Sequence, residues 1–143
     1  MGDLHLARRH TERAAQLLII TSNSELGGLI ETTLESRGVR SLQVKPGSDL
    51  DNIAQENQIR TVLLDTGSMI DCDRTAVRIR EIRSRFKSEL ACLIPPARPD
   101  AKLSCLAAGA DVILEKPIHS DALYQEAGKV LLPCERKISF GGS

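Results

Sequence analysis

Two residues of this chain, Asp65 and Lys116, carry a carboxylate and an ammonium group that could act together in one chemical site. Each stands at the carboxyl end of a short apolar segment, where a carboxylate can act as a nucleophile or hold a metal ion. Either residue alone is also ordinary, because Asp often begins a turn and lysine is commonly solvated. The pair therefore points to a site only if the fold places the ends of the two segments together.

Short apolar runs predict the strands that would carry these residues. Leu17–Thr21 and Thr61–Asp65 are continuously apolar, which is typical of strands covered on both faces. Ser41–Val44 is less apolar and is therefore predicted to lie nearer an edge of the sheet. Five strands are predicted in all, namely Leu17–Thr21, Ser41–Val44, Thr61–Asp65, Leu90–Ile94 and Asp111–Leu114.

Helical periodicity follows each predicted strand. The first helix is predicted to begin at the capping-box pattern Ser22–Glu25 and to end before Gly38, which can adopt the left-handed conformation. Leu29 is among its apolar positions, and Val77 and Ile79 are among those of the third helix. The other four helices are predicted at Asp49–Asn57, Asp73–Phe86, Ala101–Ala108 and from Ser120 or Asp121 onward.

Alternating strands and helices with buried strands require right-handed crossovers and a parallel sheet. The sequence therefore predicts a doubly wound α/β domain, with a five-stranded parallel sheet and helices on both faces. In this fold class the functional site lies beyond the carboxyl ends of the strands. Adjacent parallel strands would there bring Asp65 and Lys116 to one place. The segments at the strand ends are Thr21–Asn23, Asp65–Gly67, Ile94–Pro96 and Glu115–Pro117.

Composition argues against several classes of protein. With 19 Lys+Arg against 19 Asp+Glu, the chain lacks the basic surplus of a nucleic-acid-binding domain, and its arginine-rich third helix is interpreted as a solvated face. Only 2% of residues are aromatic, too few for a base-stacking platform. No apolar run reaches the ~18 residues of a membrane span and no signal peptide is evident, so a cytoplasmic domain without membrane contact is expected. The cysteines form no CxxC pair, and neither a metal nor a redox site is expected from them.

The length of the chain suits one domain with a substantial core. Residues 1–15 are polar and mixed in charge, and we expect them to be a leader or an inter-domain linker. Residues 16–132 contain all the predicted elements and are expected to form the folded unit. Residues 133–143 end in Gly-Gly-Ser and are expected to be a C-terminal linker or tail.

Two segments resemble the receiver domains of two-component response regulators, the CheY-like family. LAAGADVILEKPI (Leu106–Ile118) resembles the Ala-Gly-Ala-Asp turn, fifth strand and Lys-Pro signature of that family. VLLDTGSM (Val62–Met69) resembles its third strand and the loop that follows. The resemblance extends over Gln16–Leu132 and implies the flavodoxin-like strand order 2-1-3-4-5.

The resemblance also implies roles for single residues. Asp65 stands at the position of the phosphoacceptor, and Lys116 stands at the position that contacts the phosphoryl group. Pro117 is a candidate for a cis peptide bond with Lys116, an arrangement that X-Pro bonds tolerate.

The metal ligands of the family are largely missing from this sequence. Phosphorylated members hold Mg²⁺ with an acidic pair after the first strand, and here that pair aligns with the neutral Thr21 and Ser22. Asp65 and the carbonyl of Gly67 remain as weak metal candidates. Since a divalent cation is held largely by anionic oxygens, Mg²⁺ binding is expected to be weak or absent.

The residues that change conformation on activation differ too. A Thr or Ser usually ends the fourth strand in the family, whereas this chain offers Ile94, Pro95 or Pro96. The aromatic residue that reports activation aligns with Ile113. Proline also stiffens the loop that would move. These are degenerate switch positions.

The sequence therefore predicts a degenerate receiver domain, or pseudo-receiver, acting in two-component signal transduction as a regulatory protein-interaction module. It is expected to be no enzyme itself and to bind no cofactor. The longer protein that contains this domain is expected to be a hybrid histidine kinase of a phosphorelay or an atypical response regulator. A membrane-bound kinase would tether the domain to the membrane. Expected partners are other domains of that protein, a partner protein, or a second copy of this chain. The family implies contact through the fourth helix, fifth strand and fifth helix, along Lys102, Ile113, Tyr124 and Gln125.

Two alternatives remain open. In the first, a histidine kinase phosphorylates Asp65, and Asp71, Asp73 or groups from a partner replace the missing metal ligands. In the second, the domain senses a small molecule bound in the emptied site, with Thr21, Ser22 and Asp65 as its hydrogen-bonding residues. A pocket able to bury a ligand would favour sensing, whereas a closed ion pair between Asp65 and Lys116 would favour the interaction module.

Overall fold

The computed structural model describes residues 15–67 and 70–118 of the chain. Within them, five parallel strands form one sheet in the order β2-β1-β3-β4-β5, so the predicted fold class and strand order are confirmed. The strands are β1 (Leu17–Ile20), β2 (Ser41–Val44), β3 (Thr61–Asp65), β4 (Glu89–Ile94) and β5 (Val112–Glu115). The helices are α1 (Ser24–Glu35), α2 (Leu50–Glu56), α3 (Cys72–Arg85) and α4 (Pro99–Ala108).

Several predicted features lie outside the described residues. They include the fifth helix, with Tyr124 and Gln125, and the whole of the predicted tail. Most of the predicted leader lies outside them as well, so the domain boundaries stay predictions. Within residues 15–67 and 70–118, no helix has the length and apolarity needed to cross a bilayer.

Hydrophobic side chains cover both faces of the sheet. The face that carries Leu18 and Ile20 of β1 packs against α2, α3 and α4, and the face that carries Leu17 and Ile19 packs against α1. All four side chains are wholly buried, which is why β1 is a continuous apolar run rather than an alternating one. β2 is half-buried along its length and lies at the edge, as predicted.

The first helix begins one residue later than the capping-box pattern predicted. Asn23, not Ser22, is the N-cap, because its side-chain oxygen accepts hydrogen bonds from the N–H groups of Glu25 and Leu26 at 3.1 Å each. Serine and asparagine are equally good caps, so the residue types alone do not separate the two registers. The chain leaves α1 through Gly38 with φ at +86°, the left-handed conformation predicted for it.

Two apolar residues that were predicted to face the core are exposed instead. Val77 of α3 is 57% exposed and Leu29 of α1 is 53% exposed. Successive helical residues are rotated by about 100°, so Val77 lies about 200° from the buried Ile79, on the far side of the helix. Ile82 and Phe86 follow Ile79 at spacings of three and four residues and are buried with it.

Candidate functional site

Asp65 and Lys116 meet at the carboxyl edge of the sheet. Asp65 is the last residue of β3, and Lys116 follows β5 directly. The sequence analysis expected these two strands to be adjacent. They are not, because β4 lies between β3 and β5. Lys116 reaches across the end of β4, and its Nζ lies 2.5 Å from Oδ1 of Asp65. The Asp65 side chain is 2% exposed and that of Lys116 is 23% exposed, so this is a largely buried ion pair.

Two further donors complete the surroundings of the Asp65 carboxylate. The N–H of Gly67 donates to Oδ1 at 3.0 Å, and the hydroxyl of Thr21 donates to Oδ2 at 2.6 Å. Gly67 has φ at +87°, a conformation that lets the loop turn its N–H back toward the carboxylate. The Thr21 oxygen also accepts a hydrogen bond from the N–H of Asn23 at 3.0 Å, which ties it to the start of α1. Both oxygens of Asp65 are therefore engaged by groups of the chain itself.

The pKa of Asp65 reflects two opposed effects. Burial raises the pKa of the carboxyl, because the charged form loses hydration. Hydrogen bonds from Lys116, Thr21 and Gly67, with the attraction of the Lys116 ammonium, outweigh burial and hold the pKa below its ordinary value. The stability this carboxylate contributes is thus fully present above the pKa of an unfolded aspartate, about 4, and is lost as the pH falls through the lower folded value.

The end of β4 anchors the loops on both sides of it. The backbone N–H and the hydroxyl of Thr66 both donate to the carbonyl of Leu93, at 3.0 and 2.8 Å. The N–H of Lys116 donates to the carbonyl of Ile94 at 2.9 Å. The peptide bond between Lys116 and Pro117 is cis. The loop that carries Asp65 and the turn that carries Lys116 are therefore both fixed to the same strand.

The remaining predicted switch positions are apolar and differ in burial. Ile94 is wholly buried, Pro95 is buried and Pro96 is exposed. Ile113 of β5 is half-buried and packs against the core beneath α2, α3 and α4. No hydroxyl group stands at any of these positions.

The other sequence candidates are scattered around this pair. Ser22 is exposed, and no contact of its side chain with Asp65 is found in the described residues. Asp71 is the N-cap of α3, where its side chain accepts from the N–H of Arg74 at 3.1 Å, and Asp73 lies exposed in the first turn. Across residues 15–67 and 70–118, no group of three or more His, Cys, Asp or Glu residues is arranged to hold a metal ion.

Solved structures resemble this chain although no protein-family model and no curated protein matches its sequence. A response regulator from Thermotoga maritima gives a TM-score of 0.64 at 19% identity, over 82% of this chain and 98% of that one. The chemotaxis response regulator CheY4 of Vibrio cholerae gives 0.65 at 19% identity, over the same shares of 82% and 98%. NtrX from Brucella abortus gives 0.68 at 21% identity, over 88% of this chain and 29% of that one. The chain has the receiver-domain fold.

The receiver fold explains where the site lies but leaves two of its residues unexpected. The sequence analysis treated Thr21 as a lost anionic ligand or as a contact to a bound small molecule, whereas its hydroxyl donates to Asp65. Thr66 was not singled out as a contact residue, and it joins the loop after β3 to β4. The sequence signal for Thr21 was a polar residue at the end of an apolar strand. In the structure Thr21 is only 1% exposed. A buried hydroxyl at such a place requires a hydrogen-bond partner.

Proposed function

We propose that this domain is a degenerate receiver of two-component signalling, which acts as a regulatory interaction module without a Mg²⁺-dependent phosphorylation cycle. The observation that carries the proposal is the closed set of contacts around Asp65. Lys116, Thr21 and Gly67 supply a charge and three hydrogen bonds to a carboxylate that is almost fully buried. These contacts stabilise one arrangement of the loops without any bound ion or phosphoryl group.

The donor set does not fit a magnesium ion. Mg²⁺ requires near-octahedral oxygen ligands and is usually held by one or two carboxylates with water. Asp65 is the one carboxylate of this site in the described residues, and both its oxygens already accept hydrogen bonds. A carboxylate at the place of Thr21 would attract the ion by several kcal/mol at an effective dielectric of about 20, and a hydroxyl does not. In-line phosphoryl transfer therefore lacks its main neutraliser of charge.

The switch residues support the same proposal. Activation would require a hydroxyl at the end of β4 that moves to hydrogen-bond the newly attached phosphoryl group. The chain has Ile94, Pro95 and Pro96 there, none of which carries a hydroxyl. Ile94 is wholly buried in the core, and two successive prolines restrict the backbone after it. Ile113 packs against the core and lacks an aromatic ring that could change position.

The first experiment measures the intact mass of the chain after incubation with a small phosphoryl donor such as acetyl phosphate. We expect no added phosphoryl mass, with or without Mg²⁺, under conditions that modify an ordinary receiver domain. Asp65→Asn serves as the matched control, because it removes the acceptor and keeps the size of the side chain. A Mg²⁺-dependent adduct that disappears in Asp65→Asn would show instead that Asp65 is a working phosphoacceptor.

The interaction surface is proposed on α4 and the neighbouring edge strand β5. Leu103 is 68% exposed and Leu106 is partly exposed, and they lie on the same short helix as the exposed Lys102. An apolar side chain of this size in water favours a contact that covers it, since burying a leucine contributes about 1.5–3 kcal/mol. The occupant we propose is a second copy of this chain, which would place one Leu103 against the other around a twofold axis.

Sedimentation velocity over a concentration series tests this surface. We expect the wild-type chain to form dimers and Leu103→Lys to remain monomeric at the same concentrations, because two buried ammonium groups would face each other. Leu29→Lys is the matched control, since Leu29 is also an exposed leucine but lies on α1, away from the proposed face. This variant should still dimerise. A chain that stays monomeric throughout, or equal loss in both variants, would contradict the proposed face.

A further inference from the structure

An open groove lies beside the Asp65 site, on the face of the sheet covered by α2 and α3. Its volume is about 380 Å³, which is within the range of small-molecule sites. The loop after β2 forms one wall through Pro46 and Gly47, and α3 forms the other. The floor is the end of β3. The groove is thus at the carboxyl edge of a doubly wound sheet, where ligands of this fold class bind.

Two arginines one turn apart on α3 line this groove, Arg74 and Arg78, with Thr75 between them. Arg74 is exposed, whereas the side chain of Arg78 is 19% exposed. Nη1 of Arg78 lies 3.5 Å from the carboxylate of Glu81, a long contact. Nη2 of Arg78 is buried and donates to no acceptor in the described part of the chain. Buried N–H groups of a charged side chain are costly to leave without a partner, so this nitrogen indicates a missing acceptor.

The acidic residue in the groove does not oppose an anion strongly. Asp65 contributes to the lining, but its charge is paired with Lys116 and both its oxygens accept hydrogen bonds. The hydroxyl groups of Thr66 and Thr75 also line the groove, although the Thr66 hydroxyl already donates to Leu93. Because Asp65 is paired with Lys116 and Arg78 has, among the described residues, only its long contact with Glu81, the net charge along the groove is positive.

We propose that this groove binds a small organic phosphate, with its phosphate between Arg74 and Arg78 and its apolar body against Pro46 and Leu64. A guanidinium donates a fork of N–H groups to a phosphate, and two guanidinium groups match a dianion better than a singly charged carboxylate. Arg78 lines the groove, and its buried Nη2 still has donor capacity that a phosphate beside this side chain would use once the guanidinium adjusts to it. The hydroxyl of Thr75 then supplies a neutral donor beside the two charges.

This inference goes beyond the proposed function and stands on different residues. It involves no covalent change at Asp65, and neither Lys116 nor Thr21 takes part. The sensing alternative of the sequence placed a ligand among Thr21, Ser22 and Asp65. Of these three residues only Asp65 lines the groove, so the two sites share one wall and differ in the residues that would hold the ligand.

Isothermal titration calorimetry of the full chain with phenyl phosphate tests the site, because this probe carries a dianion on a compact apolar ring. We expect saturable binding that weakens as salt is added. Arg78→Gln and Arg74→Gln should each weaken binding about tenfold, since a hydrogen bond to a charged group accounts for roughly that factor. Arg74 is exposed, so its variant tests the site even if replacing the more buried Arg78 disturbs folding.

Arg80→Gln is the matched control, because Arg80 is an exposed arginine of the same helix that does not line the groove. It should bind phenyl phosphate as the wild type does, within about twofold. Equal weakening by Arg80→Gln, or no saturable binding to the wild type, would overturn the proposal, and benzoate binding as tightly as phenyl phosphate would overturn the phosphate class. The binding that calorimetry measures involves no covalent change at Asp65, so this test can fail or succeed independently of phosphorylation there.

Discussion

Replacing Lys116 by methionine is expected to lower the free energy of unfolding by about 3–5 kcal/mol at neutral pH. Methionine has a similar length but no charge, so the change removes the ammonium that lies 2.5 Å from Asp65. The carboxylate stays almost fully buried, with only the hydrogen bonds from Thr21 and Gly67 to offset its lost hydration. Urea denaturation of the wild type and the variant at pH 7 measures the difference.

The same variant should show an altered dependence of stability on pH. Without Lys116, burial still raises the pKa of Asp65, while the hydrogen bond and the attraction of the ammonium no longer lower it, so the folded pKa is higher in the variant than in the wild type. The penalty of the variant is complete above its folded pKa and is relieved as the pH falls and the carboxyl takes up a proton. The stability difference between wild type and Lys116→Met should therefore shrink as the pH falls from 7 through the folded pKa of the variant.

Asp65→Asn provides the second arm of a double-mutant cycle. Alone it should cost less than Lys116→Met, because the Lys116 side chain is 23% exposed and its ammonium can turn to water. Combined with Lys116→Met it should recover much of the lost stability, since no buried charge remains. A loss under about 1 kcal/mol for Lys116→Met at pH 7 would mean that the pair is hydrated in solution and does not hold the loops.

The architecture was predictable because burial on both sides makes each central strand a continuous apolar run. Thr61–Asp65 has its predicted bounds, and β1 and β4 differ from prediction by one residue at an end. The helix faces were harder to predict. Val77 is an apolar residue within α3 and was therefore assigned to the core, but it lies opposite Ile79 around the helix and is exposed to water. Composition within a helix is therefore a weaker guide than spacing from a residue known to be buried.

The site was predictable in its residue types and not in its contacts. Asp65 and Lys116 were singled out by their places at the ends of apolar segments, and they do meet. The sequence indicated that a carboxylate is missing at the position of Thr21. It did not indicate that the Thr21 hydroxyl donates a hydrogen bond to Asp65. Arg74 and Arg78 looked like part of a solvated basic helix. Only the three-dimensional arrangement places the loop after β2 opposite them.

Restoring the acidic pair should give this domain a magnesium site that, by our proposal, the wild type does not have. In the double variant Thr21→Asp, Ser22→Asp, a carboxylate replaces the hydroxyl that donates to Asp65 at 2.6 Å. Two carboxylates about 4 Å apart repel by roughly 4 kcal/mol at an effective dielectric of about 20, so the metal-free variant should be clearly less stable than the wild type. Mg²⁺ would relieve that repulsion.

Thermal unfolding with and without Mg²⁺ measures the effect. Because an ion that binds only the folded state stabilises it by about 2.7 kcal/mol at a hundredfold excess over its Kd, saturating Mg²⁺ should raise the midpoint for the double variant by several degrees. The wild-type midpoint should not move. Ser22→Asp alone is the control, since Ser22 is exposed and its replacement leaves the Thr21 hydrogen bond in place. An equal gain by the wild type would show that its own oxygens suffice for Mg²⁺.

The restored variant also separates the two parts of the degeneracy that we propose, the missing carboxylates and the missing switch hydroxyl. If the double variant binds Mg²⁺ and then accepts a phosphoryl group on Asp65 while the wild type does not, the missing carboxylates alone account for the difference. The switch should still not respond, because Ile94, Pro95 and Pro96 bring no hydroxyl to the new phosphate and Ile113 stays packed in the core. The displacement of Lys116 from Asp65 by the phosphoryl group would then be the one change left to transmit, through the hydrogen bond from its N–H to Ile94.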